Sequence, residues 1–375
     1  MMSKPRILLI QNNLSYGGTT SLILFIVKYL SDKYIFDLFC FEDNAIEKEK
    51  EFLNYGGEII RSNKINYNKR GLSGRLTSYW QRSSGKITRV FYKAILGKDY
   101  YAVHCFEDMS SGYYLKACKR LGIKNRIIHF NIDHSETRAT NPINWFLLRK
   151  EIRLIKKYST FFAAGSIQSM PKAIAKDKET IVINNPIDSK FVFNDHMPKE
   201  LNILQVGTYN DNKNQLFSLE VLRKLIDRYK LNDAKLRFVG QQPTSEKSYF
   251  ETLNNKISEY GLNKNVEVLG PSDHPEQLFA QNSVLIFPSR KEAFGLVLVE
   301  AQACGMQCFS SFAASKDTDL GGVTFLNLED GPEKWAKVIF DYYNGSGYSK
   351  KHFDTSKYSP ENIRKVYISL YEKNQ

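Results

Sequence analysis

Cysteine is scarce in this chain. Its 375 residues hold five (Cys40, Cys105, Cys118, Cys304 and Cys308), an odd and scattered set that excludes a disulfide framework. The one close pair, Cys304 and Cys308, has no second pair to complete a zinc site. The six histidines lack ligand spacing as well, so no metal and no cofactor is expected. Long apolar runs are also missing. A run such as Ile7-Leu8-Leu9-Ile10 falls far short of the ~18–20 residues of a membrane span. Met1 to Pro5 lead into it with no signal-peptide apolar region or cleavage site. No Walker A sequence occurs, and Gly345-Ser346-Gly347 stands without the rest of a dinucleotide fingerprint. Internal repeats and low-complexity stretches are absent. A soluble, unexported chain in a reducing cytoplasm is expected.

What is present is ordinary globular composition, 42% hydrophobic and 25% charged, with a length that suits two domains. The net charge of +13 is unevenly placed. Residues 1–200 carry 32 basic against 19 acidic side chains, and the remainder carries 21 of each. From Arg61 to Asp99 there are ten basic residues and one acid, with Tyr67, Tyr79, Trp80, Phe91 and Tyr92 between them. Lys69, Arg70 and Arg75 lie at its centre. Such a stretch, Arg61–Lys98, can meet an anionic membrane surface. It can also neutralise nucleic-acid phosphates, or be a solvated basic face whose aromatics pack inward. No nucleic-acid-binding signature appears elsewhere, and none is expected as a partner.

Strands alternate with helices through both halves. Arg6–Ile10 reads as a buried strand, followed by a turn ending in Gly17-Gly18 and a helix with an apolar face from Leu22 to Leu30. Ile35–Phe41, Tyr101–Cys105 and Arg126–Phe130 read as further strands. The pattern restarts at Leu201–Val206, then continues through Lys235–Val239, Val266–Leu269 and Val284–Phe287 with helices between them. The expected fold is α/β: two Rossmann-like, doubly wound domains facing across a cleft. They are placed at 1–192 and 199–355. Asn194, Asp195 and Pro198 mark a linker near Val192–Glu200, and a C-terminal helix within 356–375 is expected to pack back on the first domain.

The segment Pro288-Ser-Arg-Lys-Glu292-Ala-Phe-Gly-Leu-Val-Leu-Val-Glu300 follows a buried strand and opens a helix. Backbone amides of Phe294, Gly295, Leu296 and Val297 at that helix start can hold a diphosphate. Gly295 lets a ligand approach the backbone. Glu292 and Glu300, at the two ends of the segment, can accept hydrogen bonds from sugar hydroxyls. The same residues also admit a purely local reading, because Ser289-x-x-Glu292 matches a capping box.

From Pro288 to Gly305 the sequence resembles the E-x7-E motif of retaining GT-B glycosyltransferases. It is most similar to family-four enzymes of bacterial capsule, exopolysaccharide and O-antigen synthesis. The resemblance extends over nearly the whole chain: Gly17-Gly18 after the first strand, Val182 to Asp188, Val206-Gly207 with Lys213-Asn214, and Ser310 to Trp335. It implies a hexosyltransferase that moves a sugar from a nucleotide-sugar donor, expected to be UDP-linked ahead of GDP-linked, to a glycan or polyprenyl-linked oligosaccharide. It implies Glu292 at the donor sugar, Glu300 at the ribose, and Phe294 to Val297 with Gly18 around the donor. Lys213 would neutralise the leaving diphosphate, and the basic first domain would carry the acceptor, peripheral to the inner face of the cell membrane.

Two departures stand out. Gly207-Thr208 replaces the Gly-Arg usual in the family, leaving Arg290 as a substitute cation for the one missing at Thr208. Arg126-Ile-Ile-His129-Phe-Asn131 replaces Arg-Ile-x-His-x-His, so His129 or His134 is expected to contact the donor sugar in place of the second histidine. His104, inside a strand, reads as structural. Asp317-Thr-Asp319 lies in a polar loop and is not expected to bind metal. Alternatives are a nucleotide-sugar epimerase on the same fold, for which no extra catalytic carboxylates stand out, and a non-catalytic degenerate member.

Overall fold

A computed structural model describes residues 4–14, 18–40, 48–62, 81, 84–131, 142–166, 169–171, 174, 180–243 and 246–373. The chain forms two compact units, Met1–Pro186 with Pro360–Gln375, and Ile187–Ser359.

The first unit holds a parallel sheet of β1 (Arg6–Ile10), β2 (Ile35–Cys40), β3 (Ile59–Arg61), β4 (Ala102–Cys105), β5 (Asn125–Phe130), β6 (Phe161–Ala164) and β7 (Thr180–Val182). Their spatial order is β3-β2-β1-β4-β5-β6-β7. The intervening helices include α1 (Gly18–Leu30), α2 (Glu49–Leu53), α3 (Lys86–Ile95), α4 (Ser111–Arg120) and α5 (Pro142–Tyr158). A strand covered on both faces must be apolar on both, and β1 is: Ile7 and Leu9 enter one core with α1, Leu8 and Ile10 the other with Ile87, Phe91 and Tyr114. The one carboxylate inside β2, Asp37, is fully buried. It accepts hydrogen bonds from Arg6 (2.7 Å), the Tyr100 hydroxyl (3.0 Å) and the Glu58 amide (3.0 Å).

The second unit repeats the plan with β8 (Asn202–Val206), β9 (Lys235–Val239), β10 (Val266–Leu269), β11 (Val284–Phe287), β12 (Gln307–Ser311) and β13 (Val323–Leu326). All pairs are parallel, in the order β10-β9-β8-β11-β12-β13. Helices α6 (Gln215–Tyr229), α7 (Lys247–Glu259), α8 (Pro275–Gln281), α9 (Leu296–Ala303) and α10 (Gly331–Asn344) flank it. In each sheet the order reverses beside the unit's first strand, and open α/β sheets bind ligands outside the strand ends at such a reversal.

The division between units differs from the expected 192 and 199. It falls between Pro186 and Ile187, because Ile187 and Phe191 belong to the second unit's core with Leu204, Phe279 and Phe287. The polar segment read as a linker is therefore surface chain of the second unit. At the far end, Ser356–Tyr358 also stays with that unit. Tyr358 is fully buried, donates its hydroxyl to the Asp317 carbonyl and accepts the Ile187 amide at 3.1 Å. The return to the first unit begins at Pro360 with α11 (Pro360–Glu372). That helix buries Ile363, Tyr367, Leu370 and Tyr371, and Arg364 donates to the Tyr29 carbonyl at 2.7 Å.

All five cysteines are free and buried. Among the described residues no helix is long and apolar enough to cross a membrane.

Candidate functional site

Two loops leave the carboxyl ends of neighbouring strands at the reversal point of the second sheet. One runs from Gly207 to Asn214 after β8, the other from Pro288 to Gly295 after β11. They are tied together by asparagine. The Lys291 amide donates to Asn212 Oδ1 at 2.9 Å, while Asn212 Nδ2 donates to the Lys291 carbonyl at 2.9 Å. The Arg290 amide donates to the Asn212 carbonyl at 2.8 Å, and Asn214 Nδ2 to the Pro288 carbonyl at 3.2 Å. Asn214 takes a left-handed conformation, φ 59°, which a short polar side chain tolerates better than most.

This clamp brings Lys213 and Glu292 together as an ion pair, each side chain about one-fifth exposed. The ammonium also lies 5.0 Å from the centre of the Phe287 ring. Behind it, the Lys213 stem crosses Gly207 so closely that a Cβ there would stand 3.2 Å from Lys213 Cδ. A side chain there would press on the lysine stem, at a backbone φ of 156° that favours glycine. Thr208 is half-buried on the same loop and accepts from Gln215 Nε2 through its carbonyl at 3.1 Å. The guanidinium of Arg290 lies against Asp211, 3.3 Å from its carboxylate, and 3.4 Å from Asn214 Oδ1. Arg290 is thus anchored on the Lys213 loop, from the facing loop.

Helix α9 begins at Leu296, capped by Gly295 in the left-handed region (φ 98°). A side chain there would be strained, so glycine is required by the turn itself. Leu298 donates back to the Gly295 carbonyl at 2.9 Å, and the amides of Leu296 and Val297 head the helix at its positive end. Phe294 is buried against Tyr358, with ring centroids 6.0 Å apart. The capping box is not formed. Ser289 is not the cap, its carbonyl instead accepts from the Ser311 hydroxyl at 2.6 Å, and Glu292 is committed to Lys213.

Glu300 lies farther down α9. The side chain is partly buried, and that burial pushes its pKa up to about 7, against the attraction of nearby Lys190 and helped by Asp188. Among the described residues no cluster of three His, Cys, Asp or Glu is arranged to hold a metal ion. Asp319 is occupied in turn building: its carboxylate accepts the amides of Gly321 (2.8 Å) and Val323 (3.0 Å).

The remaining expected residues lie in the first unit. Gly18 opens α1 and is exposed. His129 is fully buried on β5, its Nδ1 3.2 Å from Nε2 of His104, which in turn meets the Tyr371 hydroxyl at 3.0 Å. Burial pushes the His129 pKa down to about 3 and that of His104 well below the usual range. Both imidazoles are therefore neutral core groups at pH 7. The backbone amide of Asn131 donates to Asp108 Oδ1 at 3.2 Å. Gly17 and His134 fall outside the described residues, as do 63–80 and 82–83 of the basic stretch. Within its described part, Arg61 pairs with Glu49, Lys98 pairs with Glu58, and Phe91 is a core residue.

Asn212, Asp211 and Asn214 did not figure among the expected site residues. Their signal was the run Asn210-Asp211-Asn212-Lys213-Asn214, dense in side chains that bond to neighbouring backbone.

Residues 187–314 match the family model described as glycosyl transferases group 1. A capsular polysaccharide biosynthesis glycosyltransferase, CapH of Staphylococcus aureus, is 28% identical over 258 residues, 66% of this chain and 70% of that protein. A putative glycosyltransferase, EpsF of Bacillus subtilis, is 24% identical over 90% of this chain and 87% of its own. Among solved structures, Anabaena HepE in complex with UDP and glucose has the same fold. It aligns with a TM-score of 0.70 at 16% identity, covering 98% of this chain and 97% of that one.

Two expectations follow. Asn212→Ala should leave the fold intact but loosen the Glu292 loop, lowering kcat at least tenfold with a smaller change in nucleotide affinity. Steady-state kinetics beside a UDP titration would show it, and unchanged kcat would mean that the other loop contacts suffice. For Glu300, a folded-state pKa raised from 4.5 to about 7 means the native state holds a proton that the unfolded chain releases. The contribution of Glu300 to stability therefore falls as pH rises from about 4.5 to 7 and is level above. Glu300→Gln should match wild type near pH 4.5 and exceed it by on the order of 1–3 kcal/mol at pH 8, read by urea denaturation. A gap independent of pH would contradict the assignment.

Proposed function

We propose, for a chain that belongs to the family-four GT-B glycosyltransferases of the capsule and exopolysaccharide type, that it moves a sugar with retention from a UDP-linked donor to a glycan or polyprenyl-linked glycan. The observation that carries this reading is the Lys213–Glu292 pair, held by the Asn212 clamp beside the first turn of α9. UDP bound in the Anabaena structures supports a uridine donor. The basic first unit, with its excess of cations, suits an acceptor anchored in an anionic membrane.

Before donor arrives, Glu292 neutralises the Lys213 ammonium. A diphosphate exchanges for that carboxylate, helped by the amides of Leu296 and Val297. Glu292 is then free to accept hydrogen bonds from the donor sugar, and Glu300 from the ribose hydroxyls. As the bond from the anomeric carbon to the diphosphate oxygen breaks, positive charge builds on the sugar and negative charge on the leaving oxygen. Lys213 and the helix start meet that growing negative charge, with Arg290 contributing from the position its clamp gives it. In this reading a side-chain cation and a helix N-terminus carry the diphosphate charge, with no metal ion. The departing phosphate takes the proton of the acceptor hydroxyl on the face it leaves. The new bond forms on that same face, and configuration is retained without a pair of catalytic carboxylates.

Lys213→Ala should reduce kcat by about 10²–10³-fold and UDP affinity by much less, because leaving-group charge is greatest in the transition state. Glu292→Gln should also lose most transfer while keeping its melting temperature, since a partly exposed pair contributes only about 0–1 kcal/mol. Radiolabelled transfer from UDP-sugars to lipid-linked acceptors, with thermal unfolding as control, measures both. Normal turnover in both variants would overturn the assignment.

A further inference from the structure

Helix α5 carries a face that is exposed among the described residues. Leu147, Glu151 and Ile155 are buried and define its inner side, packed on α4. On the opposite side Trp145, Arg149, Arg153 and Lys157 follow one another at four-residue spacing, a single stripe, and all four are exposed. Trp145 is 49% exposed and its neighbour Phe146 54%. The Arg149 guanidinium lies 4.0 Å from the centre of the Trp145 ring. Along the same face, a recess of about 570 Å³ is lined by Arg149, Ile152, Arg153, Lys156 and Lys157. Four of these five are cations.

Two adjacent large aromatic side chains exposed to water call for an apolar cover, and exposed cations gathered at four-residue spacing along one recess attract anions. A surface that offers both, in that arrangement, is a bilayer rich in anionic headgroups: aromatic rings settle at the headgroup boundary while basic side chains reach the phosphates. A polyanion in solution would answer the charges and leave Trp145 and Phe146 uncovered. We propose that α5 is a membrane contact of this protein. Trp145 and Phe146 enter the boundary of an anionic phospholipid surface, and the exposed Arg149, Arg153 and Lys157 hold lipid phosphates. The proposal rests on the membrane-facing reading of the first unit given above and assigns the contact to α5.

Sedimentation of the full chain with vesicles tests it. Wild type is expected to sediment with vesicles of phosphatidylcholine mixed with phosphatidylglycerol and to stay in solution with phosphatidylcholine alone. Each cation near an anionic leaflet strengthens binding about fivefold, so a variant carrying Arg149→Glu, Arg153→Glu and Lys157→Glu should bind about a hundredfold more weakly or worse. Its thermal unfolding and its transfer to a soluble acceptor should match wild type, because these side chains are exposed. As a second readout, mixed vesicles should shift wild-type tryptophan emission to shorter wavelength, and Trp145→Phe should remove that shift. If wild type ignores both vesicles, the membrane-facing reading itself is wrong. If wild type binds and the triple variant binds equally, or the emission shift survives in Trp145→Phe, the membrane reading stands and α5 is not the contact.

Discussion

Two loops that emerge from adjacent parallel strands splay apart unless something holds them, and here two asparagine side chains and a backbone hydrogen bond tie them together. Asn212 both donates to and accepts from the backbone of Lys291, 79 residues away in the chain. Once that register is set, Lys213 on one loop faces Glu292 on the other, and Arg290 is drawn onto Asp211 and Asn214. Glycine at 207 gives the lysine stem its path, and glycine at 295 turns the second loop into α9. The chemistry assigned to this site depends on cations whose positions follow from the clamp.

Electrostatics at the site run against stability at one place. Glu300 is partly buried, and that burial disfavours its charge. Such a group is more useful to a ligand than to the apoprotein. Lys213 and Glu292 are different: each has a partner in the other, and both remain partly open to solvent. A site can thus keep its charged groups balanced and still release them to a substrate of matching charge.

Much of this architecture is written locally in the chain. The apolar run of β1 and the repeat of the same plan from β8 make the two parallel sheets readable, and the segment from Glu292 to Glu300 marks where the chain passes from β11 into α9. The rest depends on contacts between distant residues. β12, with its two serines, looks like a loop until Ser311 is seen donating to Ser289. α5 hides because Glu151 sits in the middle of its inward stripe. His129 has the spacing of a site residue, yet it lies on a strand covered on both faces, and its neighbour His104 is bonded to Tyr371 267 residues on. The domain division shifts for the same kind of reason: Asn194, Asp195 and Pro198 look like a linker, but Phe191 packs against Phe279 at 5.5 Å between ring centroids. Composition shows polarity; it does not show what a neighbouring aromatic anchors.

The central claim is that a nucleoside diphosphate binds between the Gly207–Asn214 loop and the first turn of α9. Hydrogen–deuterium exchange with and without saturating UDP tests it most directly, because backbone amides of both segments are the proposed ligands or lie next to them. The account predicts slowed exchange at Phe294 to Val297 and across Gly207–Asn214, with β10 and α7 unchanged. Protection confined to other segments, while UDP binding is measurably saturated, would contradict it.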